Sequence, residues 1–127
     1  MPPSEDAQLL LRIVEHHLRS LNFGLDEQFL AEDWGFTAQQ AVEKLLKFWI
    51  VLADREPPRS HELELLASEA NLELTELLLD LQPFAVEAHY QDGDFTLPAS
   101  RARILEEIKL LTVQLRQAIE EGANSHP

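Results

Sequence analysis

The densest set of polar side chains that could do chemistry lies within nine consecutive residues. It comprises Gln39, Gln40, Glu43, Lys44 and Lys47. On an α-helix, residues four apart face the same side, and a Glu that precedes a Lys by four residues has the favourable order for an ion pair. Two interpretations stay open: a solvated helix face, which we favour for Lys44 and Lys47, and a buried polar network, which is an equal alternative for Gln40 and Glu43.

Arg59 and His61 form a second candidate site, directly after Pro57 and Pro58. The two prolines end the preceding helix and hold an extended link, and Ser60 is expected to cap the next helix. His61 would then lie in the first helical turn, where free backbone donors could bind an anion together with Arg59. A helix cap with ordinary surface charges explains the same residues, so both interpretations stay open.

Three further polar residues have simpler explanations. His89 and Tyr90 are expected to end a fourth helix, where a cation complements the negative end of the helix dipole, so a structural role explains His89 without catalysis. His17 lies on or beside the apolar stripe of the first helix and is predicted to be a core or interface histidine. No second His follows it at helical spacing, so no metal site is predicted.

Composition and charge limit the available chemistry. The 127 residues include 23 acidic and 10 basic side chains, a formal net charge of −13, so the mean field repels phosphate backbones and gives no strong nucleic-acid footprint. Cysteine is absent, which removes thiolate metal sites and a thiol nucleophile. No segment approaches the roughly 20 apolar residues of a spanning helix, and the start does not look like a secretory signal. We therefore expect a cytoplasmic protein that does not enter a membrane.

The spacing of apolar residues predicts an all-α fold, with about five helices in a single domain over residues 1–127. Its core is expected to span about residues 5–121, followed by a polar tail at 122–127. The first helix follows Ser4, breaks near Gly24 and resumes at Leu25. The central helix has the strongest apolar stripe, which steps by four and three residues through Trp34, Ala38, Ala41, Leu45, Phe48 and Leu52.

Capping residues place the start of two helices. Asp33, or Thr37 together with Gln40, is expected to cap the central helix. Asn71 is expected to cap the fourth helix, whose apolar pattern runs from Leu74 to Ala88.

Proline and glycine place the remaining ends. Pro83 lies inside the fourth helical pattern, and the pattern keeps its phase across it. A kinked helix or two abutting pieces are therefore predicted, and not a chain reversal. Pro98 suits the first turn of a last helix, which is expected to end at Gly122.

Three motifs, in a fixed order, carry a resemblance to a known family. Residues 36–47 read FTAQQAVEKLLK, residues 56–63 read EPPRSHEL, and residues 84–90 read FAVEAHY. Together they resemble the HEPN family, in which a Gln-Gln-Ala-x-Glu-Lys-x-x-Lys helix precedes a Pro-Pro-Arg-Thr/Ser-His segment and an Ala-Val-Glu-Ala-Arg-Tyr-like stretch. The resemblance spans about residues 5–121, and its specificity comes from the order of the three motifs.

The resemblance implies an up-and-down helical bundle, often dimeric, that works beside a small nucleotidyltransferase in toxin and antitoxin modules. It suggests a nucleotide as ligand and no other cofactor. Many relatives look like ribonucleases, whose site is an Arg followed a few residues later by a His at a dimer cleft. Here His89 stands where the related stretch usually has Arg, no Arg lies between Arg59 and Arg101, and no His follows Tyr90 until His126. The usual ribonuclease motif is therefore missing.

Three hypotheses follow, of which the third is a stand-alone nucleotide-binding module. In the preferred one, the chain is a non-catalytic homodimeric partner of a small nucleotidyltransferase, with an interface on part of the central or fourth helix. It has no catalytic residue, and the candidates for ligand or partner binding are Gln40, Glu43, Lys44, Lys47, Arg59, His61, His89 and Tyr90. The alternative is a ribonuclease with a non-standard site. Arg55 with His61, or Arg12 with His17, has the spacing for it, although chance explains both pairs.

Overall fold

The computed structural model describes residues 5–26, 28–85 and 96–124, the last three of these by their backbone alone. All regular secondary structure in these residues is helical. The elements are α1 (Glu5–Phe23), α2 (Ala31–Leu52), α3 (Leu63–Ala70), α4 (Glu76–Leu79), a 3-10 helix (Gln82–Ala85) and α5 (Arg101–Asn124). The predicted all-α helical fold is confirmed.

The second helix is the central one, and it packs against α1, α3, the 3-10 helix and α5. Its apolar stripe is buried as predicted at Trp34, Leu45 and Phe48, whereas Leu52, at the end of the helix, is only partly buried. A second apolar row beside this stripe supplies further core contacts through Val42 and Leu46, which are fully buried. A helix with two apolar rows has little surface left for water, so its polar residues are forced close to the core.

The connection between α1 and α2 departs from the sequence prediction. The predicted break is present, since α1 ends at Phe23, but residues 24–26 and 28–30, the described part of the connection, form no helix. Leu25, Phe29 and Leu30 lie on a turn with exposed side chains. A short apolar run in a sequence does not show whether another helix covers it. Here none of the described helices covers Leu25, Phe29 and Leu30.

Close packing explains why this connection begins with glycine. The Trp34 indole Nε1 donates a hydrogen bond to the Leu21 carbonyl oxygen at 3.0 Å, which holds the ring against the end of α1. A Cβ atom on Gly24 would lie 2.6 Å from Trp34 Cδ1, so no side chain fits there.

The predicted cap of α2 is wrong. The helix begins at Ala31, and its N-cap is Leu30, which makes no side-chain cap hydrogen bond. Asp33 lies inside the first turn, where its charge complements the positive helix end. The Thr37 hydroxyl donates to the Asp33 carbonyl oxygen at 3.0 Å, within the helix, and so does not serve as a cap.

The predicted start of the third helix is also wrong. Because α3 begins at Leu63, Ser60 and His61 lie before the helix and not at its cap and in its first turn. The Ser60 hydroxyl oxygen accepts a hydrogen bond from the Glu62 backbone N–H at 3.0 Å, which closes a short turn on the link.

Asn71 ends α3 and does not start α4. Its φ of 57° places it in the left-handed region, which Asn tolerates at helix C-termini. Thr75 caps α4 instead, and its hydroxyl oxygen accepts from the Leu78 backbone N–H at 3.3 Å. The apolar pattern began earlier, at Leu74, because residues before a helix can also pack against the core.

Two abutting pieces, one of the two predicted forms, are present as α4 and the 3-10 helix, but they are separated by Asp80 and Leu81, and Pro83 lies inside the 3-10 helix. Pro98 does not lie in the first turn of the last helix, because α5 begins at Arg101. The Ser100 hydroxyl oxygen accepts from the Arg103 N–H at 3.2 Å and acts as the cap. The helix continues past Gly122 to Asn124, so the predicted end is two residues short.

Among the described residues, no helix combines the length and the apolar character that crossing a membrane requires.

Candidate functional site

Glu43 occupies the centre of a polar cluster on α2. Its side chain is fully buried, and its Oε2 atom accepts from Lys44 Nζ and from Lys47 Nζ, each at 3.3 Å. The two lysine side chains are 24% and 16% exposed. The predicted ion pair between Glu43 and Lys47 is present, but the interpretation of the lysines as a solvated face is wrong. The buried network is the correct alternative for Glu43.

The other carboxylate oxygen of Glu43 is satisfied by three side chains. Oε1 lies 2.8 Å from His61 Nδ1 and 3.4 Å from the amide nitrogens of Gln39 and Gln40. Gln40 Nε2 also donates to Gln39 Oε1 at 2.8 Å. A buried carboxylate is costly unless it is paired and hydrogen-bonded, and this one has a partner on both oxygens.

The same contacts decide the charge of Glu43. Burial alone would raise the pKa of its carboxyl group, because desolvation disfavours the charged form. The hydrogen bond from His61 and the positive charges of Lys47 and Lys44 outweigh that effect and hold the pKa below its ordinary value. Glu43 is therefore a carboxylate at neutral pH, and two ammonium groups share it, which leaves the cluster with an excess of positive charge.

The link before α3 is held to this cluster through its backbone. The His61 carbonyl oxygen accepts from Gln39 Nε2 at 3.1 Å and from Gln82 Nε2 at 3.0 Å. Gln82 Oε1 accepts from the Leu63 N–H at 2.6 Å and so satisfies a free donor at the start of α3. Gln82 was missed by the sequence analysis. Its signal is a single polar residue between Leu81 and Pro83 in an otherwise apolar pattern.

His61 and Arg59 lie at the edge of an open groove of about 650 Å³. The His61 side chain is 64% exposed although its Nδ1 is bonded to Glu43. Arg59 is exposed, and it forms no ion pair with any residue that the structure describes. The groove lies between the link and the α4 to 3-10 segment, and its lining comprises Arg59, Ser60, His61, Glu62, Glu64, Leu79, Gln82 and Pro83.

The sequence was compared with models of protein families, with curated proteins and with solved structures. A family model described as the HEPN domain matches residues 7–120. The chain belongs to the HEPN family. A comparison with curated proteins and a comparison with solved structures gave no match.

Two of the three HEPN motifs therefore meet in space. The Gln-Gln-Ala-x-Glu-Lys-x-x-Lys motif supplies Glu43 and its two lysines from α2, and the Pro-Pro-Arg-Ser-His motif supplies His61 from the link. Six of the eight candidate residues lie in these two motifs. His89 and Tyr90, which belong to the third motif, lie outside the residues that the structure describes.

The two Arg and His pairs of the ribonuclease alternative do not form joint sites. Arg55 bonds to both the backbone carbonyl oxygen and the carboxylate of Glu69, whereas His61 bonds to Glu43. Arg12 and His17 both lie within α1, where residues five apart face different sides. Neither pair directs an Arg and a His at one point.

His17 is partly buried on α1, as predicted for a core histidine. Its burial, the nearby charge of Lys44 and that of His16, in this order of importance, lower its pKa below the ordinary value. The imidazole is therefore neutral at pH 7. Within residues 5–26, 28–85 and 96–121, no group of three acidic or histidine side chains could hold a metal ion.

Proposed function

We propose that this HEPN domain is a non-catalytic, homodimeric partner of a small nucleotidyltransferase, in a module of the toxin and antitoxin type, and that it contributes binding contacts to a nucleotide. One observation carries the proposal: Glu43 bonds to Lys44 and Lys47 of its own family motif and to His61 of the next motif. These contacts pair the Glu43 carboxylate with both lysines and hold the His61 side chain at a fixed place on the surface, which suits a preformed binding surface.

The non-catalytic part of the proposal follows from what RNA cleavage needs. A cleavage site requires a group that moves a proton and a cation that faces the charge developing on the phosphate. The described Arg and His residues with suitable sequence spacing are bound to separate acids or lie on different sides of α1. The net charge of −13 also opposes RNA binding.

The nucleotide-binding part rests on the groove beside the cluster. Arg59 and His61 are exposed at its edge beside the net positive charge of the Glu43 cluster, whereas the exposed Glu62 and Glu64 also line the groove and restrict phosphate to the Arg59 and His61 edge. A nucleotide held by the partner enzyme would place phosphate oxygens against such groups, because charge-assisted hydrogen bonds from Arg and His to phosphate are short and strong. Gln82 and Gln39 hold the His61 backbone, so the edge of the groove is fixed before binding.

The partner is tested first. The proposal requires that a gene next to this one encodes a small nucleotidyltransferase and that the two proteins copurify as a defined complex after coexpression. We then expect isothermal titration calorimetry to show tighter ATP binding by the complex than by either protein. Arg59→Gln should weaken ATP binding about tenfold, which is the cost of about 1.4 kcal/mol. Arg19→Gln, an exposed arginine on α1, is the control and should change nothing.

The absence of catalysis is tested on the isolated protein. Wild type at low salt should not cleave structured or single-stranded RNA above the rate of the Arg55→Ala and His61→Ala variants. Cleavage by wild type that is lost in either variant, with an unchanged circular dichroism spectrum, would establish the ribonuclease alternative instead.

A further inference from the structure

The two ring nitrogens of His61 have different surroundings. Nδ1 lies 2.8 Å from the buried Glu43 Oε1. Nε2 lies on another side of the ring and points away from that oxygen, and it makes no hydrogen bond with any residue that the structure describes. The side chain is 64% exposed and lines the groove next to Arg59, so Nε2 is available to a ligand there.

The partner of Nδ1 decides which ring nitrogen carries a proton. Glu43 is a carboxylate at neutral pH, because its pKa is held below the ordinary value, and a carboxylate only accepts hydrogen bonds. Nδ1 therefore carries the proton of the neutral imidazole, and Nε2 has a lone pair and no proton. A lone pair repels a phosphate oxygen. The imidazolium form, in contrast, donates from Nε2 as well, and such a charge-assisted hydrogen bond to phosphate is strong.

The charges around His61 cancel while its ring is neutral. Three acidic and three basic side chains belong to the Glu43 cluster or line the groove: Glu43, Lys44 and Lys47 on α2, Arg59 and Glu62 on the link, and Glu64 on α3. The segment from α4 to the 3-10 helix contributes uncharged side chains to the lining, namely Leu79, Gln82 and Pro83. A net positive charge at the edge of this groove therefore requires the imidazolium form of His61.

We infer that nucleotide binding in this groove is coupled to the uptake of a proton from solvent by His61 Nε2, so that the affinity rises as the pH falls from 8 to 6. This regulation rests on the proposed function, because it needs a phosphate at the Arg59 and His61 edge. Glu43 is the positioning residue, since it accepts the Nδ1 hydrogen bond in both forms of the ring and keeps Nε2 towards the groove. A ligand that binds the protonated form better also favours protonation by the same factor.

The first experiment measures ATP binding to the complex with the nucleotidyltransferase, by titration calorimetry from pH 8 to pH 6. The test variant is His61→Asn, whose amide can still donate to Glu43 but does not titrate. Over this range the affinity of wild type should rise about fivefold or more beyond that of His61→Asn, and one proton allows at most about tenfold per pH unit. Phosphate groups also titrate near pH 6, so only the difference between the two proteins is assigned to His61. His16→Asn, at an exposed position on α1, is the matched control and should keep the wild-type dependence.

Proton uptake is counted in the same titrations. Calorimetry in two buffers of different ionisation enthalpy should show that wild type takes up more protons per ATP at pH 7 than His61→Asn does. Equal uptake and an equal pH dependence in the two proteins would overturn the coupling while leaving the proposed function in place. A complex that binds no ATP at any pH in this range would overturn both.

The second experiment does not depend on the nucleotidyltransferase. Nuclear magnetic resonance of the ring nitrogens in the isolated protein distinguishes the two neutral tautomers of His61. At pH 8 the proton should lie on Nδ1. Adding pyrophosphate at pH 7 should shift the His61 resonances towards those of the imidazolium and should leave His16 unchanged. A proton on Nε2 at pH 8, or no response of His61 to pyrophosphate, would contradict the inference.

Discussion

His61 Nδ1 lies 2.8 Å from Glu43 Oε1, so an exposed imidazole on the link before α3 is bonded to a fully buried carboxylate on α2. This contact joins two motifs that are 18 residues apart in the sequence. The Pro-Pro-Arg-Ser-His segment is not helical, and it brings the His side chain back to α2.

Replacing the buried carboxylate should destabilise the fold strongly. Glu43→Gln keeps the shape of the side chain but leaves Lys44 and Lys47 without their counter-charge. Breaking a buried pair costs about 3 to 5 kcal/mol, and we expect about 3 kcal/mol because both lysines can still reach water. Urea unfolding gives the free energy of unfolding. Glu69→Gln removes the exposed pair with Arg55 and should cost less than about 1 kcal/mol; equal losses in the two variants would contradict the network.

Lowering the pH should remove the stabilisation that the ionised Glu43 carboxylate gives the fold. The pKa of Glu43 is lowered in the folded state, so its contribution to stability is complete above its ordinary pKa of 4.5 and is lost as the pH falls through the folded value. The difference in unfolding free energy between wild type and Glu43→Gln should therefore be constant from pH 7 to pH 5 and shrink below about pH 4.5. A difference that stays constant down to pH 3 would show that the carboxylate charge is not what stabilises the network.

His17 should make the fold sensitive to pH in a higher range. Its folded pKa is lowered from the ordinary 6.5, mainly by burial and then by Lys44, so the unfolded chain binds a proton more readily. Stability should fall as the pH drops below about 6.5 and level off below the folded pKa. His17→Asn should flatten the stability curve between pH 7 and pH 5, whereas His16→Asn, which removes only the smallest of the three causes, should flatten it much less. Parallel curves for wild type and His17→Asn would refute this assignment.

The sequence was sufficient for the helical class and for most of the core, because apolar periodicity directly reports which helix face is buried. Trp34, Leu45 and Phe48 are buried for that reason. Helix ends were predicted less well. Ser60, Asn71 and Pro98 are residue types that fit a helix cap or a first turn. The helices that follow them begin only at Leu63, Glu76 and Arg101, because tertiary contacts select among several suitable starts.

The polar cluster was found only in part from the sequence. The i and i+4 spacing of Glu43 and Lys47 predicted their ion pair, since that contact is local. The contact with His61 and the double hydrogen bond of Gln82 depend on how the link and the 3-10 helix return to α2. Apolar periodicity does not predict contacts between segments that are distant in the sequence. The choice between a solvated face and a buried network therefore required the structure.

Gly35 is expected to be intolerant of substitution although it lies inside a helix. Gly to Ala normally stabilises a helix interior by up to about 1 kcal/mol. Here a Cβ atom would lie 2.3 Å from Phe84 Cδ1, so the buried Phe84 ring, or the 3-10 helix that carries it, must shift. We expect Gly35→Ala to cost about 1 to 3 kcal/mol, the usual range for overpacking, in thermal or urea unfolding. Adding Phe84→Leu should recover part of the loss; a Gly35→Ala variant as stable as wild type would show that Phe84 does not pack against α2.

Arg101 should hold the connection between α1 and α2 in place. Its guanidinium donates to the carbonyl oxygens of Gly24, Asp26 and Phe29 at 2.6 to 2.8 Å, and it lies 5.9 Å from the centre of the Trp34 ring.

These contacts need the planar fork of Arg, because an ammonium group cannot reach three carbonyls and stack on an aromatic ring together. Arg101→Lys should therefore cost about 1.5 to 3 kcal/mol, the range for a hydrogen bond from a charged group, and speed amide hydrogen exchange at the end of α1. Arg103→Lys, two residues along α5 and 63% exposed, is the control and should leave both unchanged. Unchanged exchange at Gly24 and Leu25 in Arg101→Lys would mean that Trp34 alone fixes the connection.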